Sequence, residues 1–140
     1  MTLTPSQKVT LGLASGTAFG IGAVILTAPQ AFYASYGISL GDDVNLLSEL
    51  RAPAAGLAGF GILMLAGILR SAMAPLSITV ALTVFLAFPA GRLIGLVVDG
   101  MPSGGMIVGL AVELSIAALC LMAFRHRLAT PKGDGRLAAR

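Results

Sequence analysis

The sequence predicts an all-α fold, an integral membrane four-helix bundle, and three observations carry that expectation. Of its 140 residues, 56% are hydrophobic and only 11% charged, with a mean hydropathy of +0.93, whereas soluble domains carry about 25% charged residues. Four stretches, 9–28, 52–69, 71–91 and 104–124, approach the roughly 20 residues needed to cross about 30 Å of hydrocarbon, and only Glu113 interrupts them. The basic residues are also one-sided. In a four-span chain Lys8, Arg70, Arg125, Arg127, Lys132, Arg136 and Arg140 share one face of the membrane, while Asp42, Asp43 and Asp99 fall on the other. By the positive-inside rule both termini are expected in the cytoplasm.

The first span has a clear start. Thr4 suits an N-cap, Pro5 the first helical position, and Gln7 completes a Thr-x-x-Gln capping box. Pro29 is expected to mark its far end, giving a span of about 5–28. The run is longer than a signal-peptide core and no clean Ala-x-Ala site follows, so it is expected to be retained as a span. Phe32, Tyr33 and Tyr36 follow in a stretch that suits a headgroup interface, a stacking or ligand site being the sharper alternative. Asp42 or Asp43 offers a cap, which extends the second span to about 43–69 and places Glu49 and Arg51 inside its helix. The third span is expected over about 71–98 and the fourth over about 104–124, making residues 1–128 one transmembrane domain. Residues 129–140, with Pro, Gly and charge but little apolar content, are expected to form a disordered basic cytoplasmic tail.

Lipid gives helices no hydrophobic reason to associate, so small residues that allow close approach supply much of the packing. Gly12, Gly16 and Gly20 recur at four-residue spacing in the first span, Gly91 and Gly95 in the third, and Gly105, Gly109 and Ala117 in the fourth. These stripes fit either packing within the bundle or a homo-oligomer contact, the first-span stripe being the best candidate for the latter.

Four ionisable residues lie within or beside the spans: Glu49, Arg51, Arg92 and Glu113. Glu113 stands about 14 Å beyond Gly104 along its helix, and Arg92 about 10 Å from Asp99. With Glu49 and Arg51 at comparable depth, the four would converge on the outer half of the bundle with charges that sum to zero. Unpaired, each would cost roughly 2.5 to 3.5 kcal/mol at a helix centre. Glu49 and Arg51 are about 200° apart on their helix, so the expected pairs are Glu49 with Arg92 and Arg51 with Glu113, or the swapped arrangement. Pro53 and Pro89 lack the N–H groups that would bond the carbonyls of Glu49 and Phe85, which leaves free acceptors beside the charges. The cluster either locks three helices together or forms a site for a polar or anionic headgroup or a proton-linked ligand.

Other chemistry finds little support. The formal charge of +3 gathers at the last segment rather than in a groove-sized patch, so nucleic acid is not expected as a partner. Cys120 and His126 are the only residues of their kinds, too few for a zinc or haem site, and no metal or cofactor is expected. No phosphate-binding loop or nucleophile with a base stands out, and an independent enzyme is not expected.

Ser48-Glu49-Leu50-Arg51, Gly91-Arg92-Leu93, Asp99-Gly100-Met101-Pro102-Ser103 and Glu113-Leu114 together resemble a bacterial family of small four-helix membrane proteins classed as domain of unknown function 4345, similar in outline to the DoxX-like proteins. The resemblance runs from the first span to Phe124, with Ala52-Pro53-Ala54 as a departure where more Gly and aromatic character is the pattern. It implies the four-helix fold and a bacterial inner-membrane location. The DoxX-like outline points to respiratory or quinone-linked accessory work. The leading functional expectation is an accessory or interaction protein that binds a lipid, a quinone or a membrane protein complex near the charged cluster. The alternative is an oligomeric small-solute or proton-linked transporter or channel.

Overall fold

A computed structural model describes residues 2–129; the expected tail lies, from residue 130 onward, outside the described residues. The chain forms α1 (Pro5–Thr27), a short α2 (Pro29–Ala34), α3 (Val44–Leu69), a 3-10 turn (Ser71–Met73) that runs into α4 (Ala74–Val98), and α5 (Gly104–Leu128). The helices α1, α3, α4 with its leading turn, and α5 are each long and apolar enough to cross a membrane. Among the described residues there is no strand.

Local chemistry sets the starts. The Thr4 hydroxyl accepts from the Gln7 N–H while the Gln7 side chain accepts from the Thr4 N–H, a closed capping box with Pro5 in the first turn. Asp43 caps α3 by accepting from the backbone N–H groups of Asn45 and Leu46. Pro29 ends α1 but also opens α2, because a proline that cannot continue one helix suits the first turn of the next. After α4 the chain turns at Gly100, whose φ of +96° favours glycine.

The long helices run up and down in a ring, α1 to α3 to α4 to α5 and back to α1. Gly12 lies beside Ile68, Phe19 beside Gly61, and Gly22 beside Ala54 and Ala58, so α1 and α3 are antiparallel. The start of α1 and the end of α5 therefore share one end of the bundle, where the Gln7 amide donates to the Ala123 carbonyl at 2.9 Å. The other carries α2 and the α4–α5 connection. Within the seams, Ser15 donates to the Gly61 carbonyl at 2.8 Å and Ser77 to that of Leu63. In lipid a buried hydroxyl has no water to turn to, and a neighbouring helix carbonyl satisfies it.

The two halves differ in how they are filled. Toward the chain ends, Leu11, Met64, Ala74, Cys120 and Phe124 are fully buried. Toward α2, no residue of α4 beyond Pro89 and none of α5 before Leu110 is buried.

The seams do not use the glycines expected to form them. A Cβ on Gly22 would stand 2.6 Å from the Ala54 carbonyl oxygen and the Ala58 nitrogen, and one on Gly61 would stand 2.6 Å from the Phe19 nitrogen. These are the contacts at which backbones meet. Gly16, Gly20 and Gly109 have nothing within 4 Å of such an atom, and Gly12 meets only the tip of Ile68. Gly105 packs on the Tyr36 ring rather than on a spanning helix. Four-residue spacing identifies a stripe, but which side of α1 turns inward is set by Leu11, Ala14, Ala18 and Ile25, larger apolar residues whose burial fills more of the core.

Candidate functional site

Of the four ionisable residues, the structure brings two together. Arg92 Nε donates to both carboxylate oxygens of Glu113, at 3.0 and 2.9 Å. Glu113 is one of the few buried polar residues of the bundle, its side chain only 9% exposed, whereas that of Arg92 is 37% exposed. The geometry follows from two antiparallel helices. Arg92 sits six residues before the end of α4 and Glu113 nine residues into α5, so the arginine stem reaches inward from a shallower level.

Glu49 and Arg51 do not join them; both are exposed. The 26 residues of α3 rise about 39 Å, more than the hydrocarbon core needs. The buried residues of α3 begin only at Ala54, so both side chains project from its first turns at the α2 end and not from its inward face. Arg51 has a different partner: its Nε donates to the Leu26 carbonyl at 3.2 Å, supplying a donor and a positive charge to the last turn of α1, where carbonyls lack helical partners. Pro53 is exposed beside them, while Pro89 is buried in α4. Asp99 caps the C-terminal end of α4 and is exposed.

The Arg92–Glu113 pair forms part of the wall of a cavity of about 170 Å³ at the α2 end. Thr17, Ala18, Ile21 and Ile25 line it from α1, Leu57 from α3, Val84, Phe85 and Phe88 from α4, and Met106 from α5. Phe32, Tyr33 and Tyr36 cover it from α2 and the residues just after. The Phe32 ring meets Tyr33 and Tyr36 edge to face, with centroids 5.3 and 5.2 Å apart, an arrangement that aromatic quadrupoles favour. The three aromatics suited to a headgroup interface thus wall a cavity as well. Pro89 lies within the same stretch of α4, and its missing N–H deprives the Phe85 carbonyl of its helical donor beside that wall.

The chemistry is mostly apolar with one charged corner. The carboxylate is committed to Arg92. The guanidinium is less fully used, since Nη1 reaches only the Met106 sulfur at 3.3 Å, a weak acceptor, and Nη2 has no acceptor among the described residues. This arrangement suits a mostly apolar ligand that presents an oxygen to Arg92. Among the described residues no group of three or more His, Cys, Asp or Glu stands together to hold a metal.

The sequence pointed to Arg92, Glu113 and the aromatic segment but not to Thr17, Phe85 or Met106 as neighbours of one space. Single apolar residues inside apolar spans carry no local signal that distinguishes a cavity wall from a core or lipid contact.

No curated protein and no solved structure matches the chain. A family model does, over residues 6–124, which takes in nearly all of the four long helices, the aromatic segment and both members of the ion pair. The chain belongs to the family described as Domain of unknown function (DUF4345).

Proposed function

We propose that this multi-pass membrane protein is an accessory binding protein for a small membrane-soluble ligand, such as a lipid or a quinone, held in the cavity between α2 and the Arg92–Glu113 pair. The cavity itself carries the reading: a space of about 170 Å³, lined by all five helices, with one ion pair in an otherwise apolar and aromatic wall. Ligand sites have this composition, an apolar enclosure with a few polar groups that fix orientation, and an apolar cavity of about 150 Å³ is enough to admit benzene. The packed half of the bundle below it argues against a path through a single copy, so transport by an oligomer has less support.

Lys8, Arg70, Arg125 and Arg127 at the chain-end side, against Arg51 with Asp42, Asp43 and Asp99 at the α2 side, support cytoplasmic termini by the positive-inside rule. A bacterial inner membrane rests on the family resemblance. The test is native mass spectrometry of protein extracted from its membrane in mild detergent. Wild-type protein is expected to carry one small molecule per chain, and Thr17→Phe, which fills the cavity from its wall, is expected to lack it. Wild-type protein that carries nothing, or a Thr17→Phe variant that keeps the same ligand, overturns the proposal.

A further inference from the structure

A second cavity adjoins the first. It measures about 200 Å³ and lies between the last turns of α4 and the first of α5, lined by Gly95, Leu96, Asp99, Pro102, Ile107 and Leu110 together with Arg92 and Met106. The same Arg92 and Met106 line the first cavity, so the two spaces meet at these side chains. What stands between them includes the 3.3 Å contact of Arg92 Nη1 with the Met106 sulfur, a weak bond on a flexible thioether that rearranges easily. Around this crevice α4 and α5 present Ile94, Val98 and Val108 outward, so it adjoins an apolar surface suited to lipid.

Resting on the binding function proposed above, we infer that the two cavities form one extended site for a neutral two-part lipid. A single ring bearing a carbonyl or similar acceptor occupies the aromatic cavity, and an aliphatic chain leaves through the α4–α5 crevice. Size limits the first part to about one ring, judged against a cavity of about 150 Å³ that admits benzene. The free Nη2 protons of Arg92 call for an acceptor oxygen. Charge argues for neutrality: Glu113 already cancels Arg92, and Asp99 lines the second cavity, so an anion would meet two carboxylates for one shared guanidinium. The mainly apolar wall of the crevice suits a hydrocarbon chain.

The test uses the full chain in detergent micelles and three probes, acetophenone, 4′-decylacetophenone and 4-decylbenzoate, with binding followed by ligand-detected NMR. The variant is Gly95→Leu. Gly95 lines the second cavity, and a Cβ there meets only the Asp99 carboxylate, at 3.6 Å, so a larger side chain takes up space at that wall. Both ketones are expected to bind wild-type protein, and the benzoate more weakly than the decyl ketone. Gly95→Leu is expected to weaken the decyl ketone by about tenfold or more, comparable to losing about two buried methylenes, while acetophenone binding is unchanged. Unchanged acetophenone binding also reports that the variant is folded, and Ile107→Phe is the second variant should Gly95→Leu lose both ketones. Ketone binding that neither variant alters, that both variants abolish for acetophenone as well, or that is weaker than benzoate binding overturns the two-part neutral ligand while leaving a ligand in the first cavity standing. Failure of all three probes overturns the ring-and-chain assignment, and a wild-type protein that also carries no native ligand overturns the binding function itself.

Discussion

Arg92 and Glu113 share one ion pair but not one environment. The arginine is 37% exposed and can carry its charge toward the interface on its flexible stem, whereas the carboxylate is 9% exposed on a shorter side chain that cannot. Removing either partner should therefore have unequal effects. Arg92→Ala strands a buried carboxylate and is expected to destabilise the bundle by about 3 kcal/mol, and Glu113→Ala by about half as much. Replacing both with leucine removes the stranded charge and should recover most of the loss. Unfolding in mixed micelles titrated with denaturing detergent measures all three, and equal losses for the two single variants would contradict the asymmetry. Arg51 is the other arginine whose role depends on its neighbour, and its bond to the Leu26 carbonyl ties the end of α1 to α3.

Between helices, the decisive residues are those where one backbone leaves no room on another. Gly22→Ala forces a methyl group against the backbone of Ala54 and Ala58, where no side chain can move aside, and is expected to cost about 1 to 3 kcal/mol. Gly16→Ala and Gly20→Ala meet open space and should be neutral or gain about 0.5 to 1 kcal/mol from the lower flexibility of alanine. The same unfolding titration orders the three. The short helix α2 rests on a similar fit, because Tyr36 packs over Gly105: a Cβ there would lie 2.9 Å from the ring. Gly105→Val should displace Tyr36 from the cavity wall and lower retention of the bound molecule seen by mass spectrometry, with little effect on unfolding. Full retention would show that Tyr36 takes no part in closing the cavity. Pro89 acts at the same level, since it frees a carbonyl in the helix that also provides Phe85, Phe88 and Arg92.

Over the whole molecule, an up-and-down ring of four helices places residue 71 at the end with the start of α1 and the end of α5, and residue 39 at the opposite end. With Cys120 fully buried, single cysteines at Ser39 and Ser71 are expected to react with an impermeant thiol reagent from opposite faces of a sealed vesicle, and reaction of both from one face would break the four-span topology. The contrast between halves is also a property of the assembled bundle. Phe124, Met64, Leu11 and Cys120 close the end that holds the termini, and the cavity occupies the end where α4 beyond Pro89 and the first turn of α5 bury nothing.

Much of this architecture is legible in the order of residues. Length and apolar runs fix the number of spans because the bilayer has one thickness, and the caps at Thr4 and Asp43 fix two starts because their side chains act on backbone only two or three residues away. The partners of the charged residues are not legible in that way. Glu49 and Arg51 look equivalent to Arg92 and Glu113 as charges near apolar runs, but both are exposed and the buried face of α3 begins only at Ala54, and where that face begins is set by contacts with other helices. The first-span glycine stripe does not form the α1–α3 seam for the same reason, since periodicity defines a face without saying which neighbour it meets. Hydrophobicity and local hydrogen bonding thus specify the helices and their ends, while the rotation, depth and closeness of each helix, and with them the Arg92–Glu113 pair and its cavity, arise only when the four pack side by side.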